Sequence, residues 1–322
     1  MTKKLTVYRL IFRSPLHVGE DVVGHEKVSS IVHSDTILSA LYSLALKVNG
    51  DISTKIAEGA VRISSAFPFY RDKNDITYYF PKPIIAQEKV FPISEADYPL
   101  RKKLKKLNFI PLDWILKIIN GETMEVNAQE IENIKKKLKR LFKTHTIPKV
   151  TLDRVTQNSN LFHFGELHFS RGGLFIIADF KDKDMRSAFE GMLKLLGDEG
   201  LGGKRTAGYG LFDVETDSFE INLPENPSKY MLLSIYWPSR KERETLNLRE
   251  SSYQLIRRTG WFLLNDGRSL KRKPLWMFKE GSILNAEPFG GSADVTPNSL
   301  DSGRVYRFGY ALSLPIAGSG VA

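Results

Sequence analysis

The chain has 322 residues, 42% of them hydrophobic and 26% charged, with a formal net charge of +10 and a pI near 9.5. That length allows one large domain or two with a substantial core, and the basic balance favours nucleic acid or another polyanion as partner. Cysteine is absent, which excludes disulfides, zinc–thiolate sites and a cysteine nucleophile and agrees with a reducing cytoplasm, and no long apolar run suggests a membrane span or a signal peptide.

Val7, Leu10 and Phe12 open a strand that ends at Ser14 and Pro15, and a polar loop follows as far as His33. Ser34 or Asp35 can then cap a helix whose apolar face is Ile37, Leu38, Leu41, Leu44, Ala45 and Val48, closed by Gly50. Strands are predicted around 61–67 and 77–80, the second stopped by Pro81 and Pro83. From about 88 to 149 the composition changes, with lysines crowding 102–106 and 135–139 and two helical patterns. The second pattern has Ile131, Ile134, Leu138 and Leu141 on one stripe and Lys135, Lys136, Lys137, Lys139 and Arg140 around the rest. This segment reads as an insertion, either an amphipathic helix docked on the domain with its lysines solvated or a direct contact to nucleic acid.

Strands return at 150–154, 161–169 and 173–180. A helix follows with Met185, Phe189, Leu193 and Leu196 at helical spacing, then a glycine-rich loop, then the strand LFDVET. The order strand–helix–strand–strand–helix–strand predicts an α+β, ferredoxin-like unit. INLPENPS at 221–228 makes a plausible linker, dividing the chain into domains 1–225 and 226–322. In the second domain the clear strands are 230–237, SSYQLIRRTGWF and RVYRFGYALSLPI, and the scarcity of helical patterns predicts a degraded, loop-rich copy of the first.

The loop GLGGKRTAGYG, Gly200 to Gly210, is the densest signal in the chain. Positions 197–210 hold six of its 24 glycines around Lys204 and Arg205. Glycine lets a backbone approach an anion closely, with N–H groups converging on phosphate oxygens, and Arg205 adds a planar fork. A Walker A loop fails here, because Arg205 follows Gly203-Lys204 and Asp198 stands where the first glycine belongs. A dinucleotide fingerprint fails too, because its third glycine would fall on Arg205 and the loop runs from helix to strand. Locally, a tight glycine turn with solvated cations fits as well.

Catalytic constellations are scarce. His17, His25 and His33 recur every eight residues, without the carboxylate or sulfur partners of a metal site, and the pairs Glu20-Asp21 and Asp198-Glu199 lie in loops among cations. No metal, cofactor or small-molecule substrate is expected. His17 is the one candidate for the general base of a metal-independent ribonuclease. Cationic binding residues are more numerous: Arg154 at a strand end, Arg257 and Arg258 before Gly260-Trp261, and Arg304 and Arg307 interleaved with Tyr306, Phe308 and Tyr310. The last group describes a face that stacks bases and clamps phosphates, or a strand with its aromatics in the core and its arginines outside.

Together SPLHVGE (14–20), HSDTILSAL (33–41), VTLDRVTQNSNLF (150–162), LGDEGLGGKRTAGYG (196–210), YQLIRRTGW (253–261), FKEGSIL (278–284) and VYRFGYAL (305–312) resemble the RAMP superfamily of CRISPR proteins. Within it they are most similar to the family of fourth subunits of the type III-A Csm effector complex. The resemblance implies two ferredoxin-like (RRM-like) RAMP domains, the first with a helical, lysine-rich insertion at about 88–149. It implies a non-catalytic subunit that holds the 5′ repeat-derived handle of the CRISPR RNA, caps the backbone of the repeated RAMP subunit and docks the large polymerase-like subunit. On this view Gly202, Gly203, Lys204, Arg205, Thr206 and Tyr209 clamp handle phosphates, His17, Ser34 and Arg154 line the same surface, and Arg257 and Arg258 add contacts. The insertion is then the candidate for a thumb-like element. The enzyme alternative is an endoribonuclease that processes CRISPR precursor RNA with His17 as base.

Overall fold

A computed structural model describes residues 2–19, 28–48, 50–73, 75–85, 90–94, 97–153, 155–156, 158–264 and 267–317. The N-terminal part runs β1 (Thr2–Phe12), α1 (Ser34–Val48), α2 (Gly50–Ala57), β2 (Val61–Ile63), β3 (Phe67–Asp72), β4 (Asp75–Pro81), α3 (Tyr98–Lys105), β5 (Phe109–Pro111), α4 (Leu112–Ile119) and α5 (Ala128–Leu141). It continues with β6 (Phe142–Leu152), β7 (Ser159–Phe169), β8 (Gly172–Phe180), α6 (Lys183–Glu199) and β9 (Phe212–Asn222).

The main sheet has the order β5-β4-β3-β8-β1-β9, antiparallel throughout, with β2 also on β8. Its centre, β9-β1-β8-β3 with α1 and α6 as crossovers, is the predicted split βαβ arrangement. Both sheet faces are covered, which is why β1 buries Leu5 and Val7 on one side and Tyr8 and Leu10 on the other. Tyr8 and Leu10 pack with Ile37, Leu41, Phe189 and Leu193 of α1 and α6. Leu5, Val7, Phe175 and Phe219 face the insertion, in one core with Trp114, Ile115, Ile118, Ile131 and Ile134.

The insertion is therefore a docked layer. Asp97 caps α3 by accepting from Leu100 N–H, and Asn127 and Glu130 form a capping box on α5. With Ile131, Ile134 and Leu141 turned inward, Lys136, Lys139 and Arg140 of α5 are exposed, while the half-buried Lys137 turns to the sheet and reaches Thr77 Oγ1 at 3.2 Å. This is the amphipathic-helix alternative of the sequence reading. One boundary needs correction: the strand predicted from Val150 begins at Phe142, so 142–149 belong to a long hairpin, β6–β7, paired from Phe142↔Phe169 to Leu152↔Ser159. Pro148 and the run of lysines hide that strand in the sequence. A two-stranded ribbon accepts the proline because one edge of each strand faces solvent.

The C-terminal part holds β10 (Pro227–Leu232), α7 (Arg240–Thr245), β11 (Leu255–Arg258), β12 (Trp261–Leu263), β13 (Ser269–Lys271), β14 (Leu275–Phe278), β15 (Ile283–Leu284), β16 (Ser292–Asp294), β17 (Tyr306–Phe308) and β18 (Ser313–Ala317). These form a three-stranded sheet β15-β10-β18 and the ribbons β11-β14, β12-β13 and β16-β17, with α7 as a short helix. Met231, Leu314 and Ile316 enter the same core as the insertion helices. Among the described residues no helix is long and apolar enough to cross a membrane.

A buried polar network at the start of α1 joins the two parts. Ser34 Oγ accepts from Ile235 N–H at 3.2 Å, and His33 Nδ1–H donates to Glu280 at 2.7 Å, where the Ser65 hydroxyl also donates. Asp35, fully buried, receives Arg258 through Nε and Nη2 at 3.1 and 3.0 Å and Arg307 through Nη1. Burial draws Arg307 down to about 10, so it stays charged at neutral pH. Here the sequence reading is corrected, since Arg307 lies inside, where Asp35 meets it, and Tyr306 outside.

Burial alone would raise the Glu280 carboxyl, but the His33 charge and the hydrogen bonds from His33 and Ser65 outweigh it and hold the group at about 2. A folded value below the ordinary carboxylate value of about 4.3 stabilises the fold above that pH, and the contribution is lost as pH falls toward about 2. Thermal melts of Glu280→Gln should therefore show lower stability than the parent chain at neutral pH and a flatter loss across that acid range.

Candidate nucleic-acid interface

The glycine loop leaves α6 at Gly200, whose N–H donates to Leu196 O at 2.8 Å. It lies flat against the chain that follows β1. Gly203 N–H donates to His17 O and Gly210 N–H to Pro15 O, each at 2.8 Å, and Leu211 N–H donates to Ser14 Oγ at 2.9 Å. Two glycines are obligatory for this contact. Gly202 has φ +91°, and a methyl group there would meet His17 O at 2.5 Å; Gly210 has φ +74°, and one there would collide with Leu201 O. The N–H groups of Gly203 and Gly210 serve the protein's own carbonyls, which leaves these two out of the expected backbone cradle. Outward the loop presents Lys204, itself left-handed at φ 60°, Arg205 and Thr206, all exposed.

The base of the β6–β7 hairpin stands beside the loop, held by paired hydrogen bonds of 2.9 Å between Leu16 and Leu167. His17 is buried there. Its Nδ1–H donates to Gly165 O at 2.8 Å and its ring stacks on Phe164 at 4.1 Å. Phe164 meets Tyr209 edge-on at 5.5 Å. Lys149 Nζ lies 4.5 Å from the Phe164 ring centre and 4.8 Å from that of Tyr209, and it donates to the Tyr209 hydroxyl at 2.9 Å. Lys204 Nζ is 6.0 Å from the Phe164 centre, so cations approach this ring from both the hairpin and the loop.

Tyr209 in turn donates to Glu166, which also accepts from His168 Nε2 at 3.1 Å. Burial would raise Glu166, but these two hydrogen bonds and the charges of His168 and Lys149 hold it below the usual carboxylate range. The ionised carboxylate fixes the Tyr209 ring and, through it, Lys149. Arg205 pairs loosely with Glu199 at 3.7 Å. The result is a cationic patch, with Lys149 and Lys204 set over the buried Phe164 ring, Tyr209 half-buried beside them and Arg205 exposed on the same loop, which suits contacts to phosphates.

A cleft of about 880 Å³ starts at Val18 and Gly19, immediately after His17. It runs between the insertion and the C-terminal part, past Lys82, Lys105, Arg257, Arg258 and Lys279. Its carboxylate Glu280 is engaged by His33 and Ser65. Lys82 is held down to about 8 by burial and by the neighbouring Lys105 charge, and its Nζ reaches the carbonyls of Leu104 and Lys105 at 3.0 and 3.2 Å.

Of the residues singled out in the sequence, Gly202, Gly203, Lys204, Arg205, Thr206, Tyr209 and His17 come together at the loop. Arg257 is exposed on β11 and lines the cleft. Ser34 is buried in the network at α1 and offers no open surface, whereas Arg258 lines the cleft while its guanidinium pairs with Asp35 and Thr36. Arg154 lies outside the described residues, as does His25. Lys149 and Phe164 were missed, although pairing along the hairpin makes them diagonal neighbours. Lys82, Lys105 and Lys279 were missed as well.

The RAMP superfamily model matches residues 9–213, and the CRISPR Csm4 C-terminal domain model matches 225–316. A protein of Thermococcus onnurineus named CRISPR system Cms protein Csm4 is 30% identical over 292 residues, spanning 86% of this chain and 89% of its own. The chain belongs to the Csm4 family. A Csm4 of Methanocaldococcus jannaschii is 27% identical, spanning 92% of this chain and 90% of its own. The Csm4 fold is matched by a chain of the crystal structure of a Csm3–Csm4 subcomplex of the type III-A interference complex, at 24% identity and a TM-score of 0.60, covering 98% of this chain and all of the other. A chain of a Csm1–Csm4 cassette crystallised with cA4 matches at 20% identity and a TM-score of 0.60, covering 98% of each.

Proposed function

We propose that this chain is a non-catalytic subunit of a type III-A CRISPR interference complex that holds the 5′ handle of the CRISPR RNA. The observation carrying this reading is the convergence of Lys149 and Lys204 on the Phe164 ring, with Arg205 exposed on the same loop, at the head of a cleft lined by further cations. Family membership supports an RNA partner, and the patch offers chemistry suited to gripping one. The solved Csm1–Csm4 and Csm3–Csm4 assemblies of relatives support two protein partners, which we identify with the large polymerase-like subunit and the backbone RAMP subunit.

The thumb-like element is reassigned within this proposal. The helices of the insertion are docked on the sheet, whereas the outer half of the β6–β7 hairpin is solvated and exposes Val150, Leu152, Val155 and Leu161. That hairpin, not α3–α5, is the element that would intrude on a guide strand. The C-terminal part is read as the degraded second RAMP copy, with β10 and β18 as its surviving centre.

The ribonuclease alternative is not favoured. His17 is stacked on Phe164 and donates through Nδ1 to Gly165, which suits a residue that positions the loop. Incubation of the purified chain with handle-bearing RNA in EDTA should give salt-sensitive binding and intact RNA. Site-specific cleavage abolished by His17→Ala would overturn the proposal.

A further inference from the structure

Two of the four tryptophans stand out in solvent, Trp261 at 66% exposure and Trp276 at 58%. Both lie on the C-terminal ribbons, and each has a cation directly across the strand pair: Arg257 opposite Trp276 and Lys271 opposite Trp261. Directly opposed residues share a face, with Cβ atoms about 4.5–5.5 Å apart. Each pair thus sets a flat ring beside a positive charge, as one nucleotide sets a base beside a phosphate. The alternate positions Ile256, Met277, Phe262 and Leu270 are partly or fully buried, so the indoles are turned outward by the register of the ribbons.

Charge favours a nucleic acid over a protein surface here. Residues 255–279 contain seven Lys and Arg against one acid, Asp266, and a ring-plus-cation unit that occurs twice is what sequence-tolerant binding of single strands requires. Arg257 also lines the basic cleft, so the platform begins where the cleft ends.

We infer that Trp276 and Trp261, with Arg257 and Lys271, form a stacking platform that continues the path of the single-stranded RNA held at the glycine loop and cleft. The identity of that strand rests on the proposed handle-binding role. The platform itself does not.

The test titrates the full chain with two fluorescent single-stranded RNAs of about 12 nucleotides, one bearing the handle and one a uridine tract, and follows anisotropy and tryptophan emission. Loss of stacking in Trp261→Ala with Trp276→Ala should weaken both RNAs tenfold or more, while Trp261→Phe with Trp276→Phe, which keeps two rings, should retain most of the affinity. Tryptophan emission of the parent chain should be quenched on binding. If the alanine pair weakens binding and Lys204→Ala with Arg205→Ala does not, the platform stands and the loop reading falls. If only the loop variant weakens binding, the platform is wrong and the loop reading stands. Unchanged RNA affinity in the alanine pair, together with lost capture of co-expressed partner subunits, would make this face a protein interface and overturn the inference.

Discussion

Substituting Lys204 and Arg205 together by alanine should lower affinity for handle RNA about 100-fold at moderate salt. Each side chain offers a charge-assisted contact worth about 1.5 kcal/mol at the low end, and every 1.4 kcal/mol is a factor of ten. The loop should keep its shape in the variant, because it is fixed by Gly202, Gly210 and the backbone bonds to Pro15 and His17 and not by these two side chains. Arg205 gives up a surface pair with Glu199 to reach a phosphate, a small cost given its length of 3.7 Å and its exposure. Removing two phosphate contacts should also flatten the dependence of log K on log salt by about 1.4 for a single strand. Anisotropy titrations across a salt series read both quantities. An unchanged slope would mean that neither cation touches the backbone.

The largest effect on stability should come from Asp35→Asn. Its carboxylate balances Arg258 and the almost wholly buried Arg307, and without it Arg307 is left as an uncompensated buried charge. Breaking such a pair costs about 3–5 kcal/mol, a large share of the usual 5–15 kcal/mol of a folded domain. The thermal midpoint should drop by roughly 10 °C. Adding Arg307→Met removes the orphaned charge and should return part of the loss. A single variant as stable as the parent would show that Asp35 does not tie the two parts together.

The sequence carried the first part of the fold well because its signals there are local. Helical spacing through Met185, Phe189, Leu193 and Leu196 placed α6, and the glycines after it could only be a loop, so the helix-to-strand course of the candidate site was readable. The hairpin was half hidden, since Pro148 and lysines continuous with those of α5 mask the alternation of Phe142 to Lys149. Lys149 and Phe164 join the site only through strand pairing and a turn of the chain onto Tyr209, contacts that no local pattern encodes. Arg307 misled for a different reason. Alternation assigns one strand face to solvent, and it fails at β17 because Asp35, 272 positions away, meets the arginine in the interior. Asp35 itself reads as a helix cap and turns out to be the counter-charge of the joint between the two parts.

The central claim is that RNA lies over the patch between the glycine loop and the hairpin base. Crosslinking a handle RNA substituted with 4-thiouridine to the full chain, followed by peptide mapping, tests this most directly. The account predicts crosslinks within 142–169 and 200–210, at or beside Lys149, Lys204 and Tyr209, with a second set along the cleft. Crosslinks confined to the outer lysines of α5, with none at the loop or hairpin base, would contradict it.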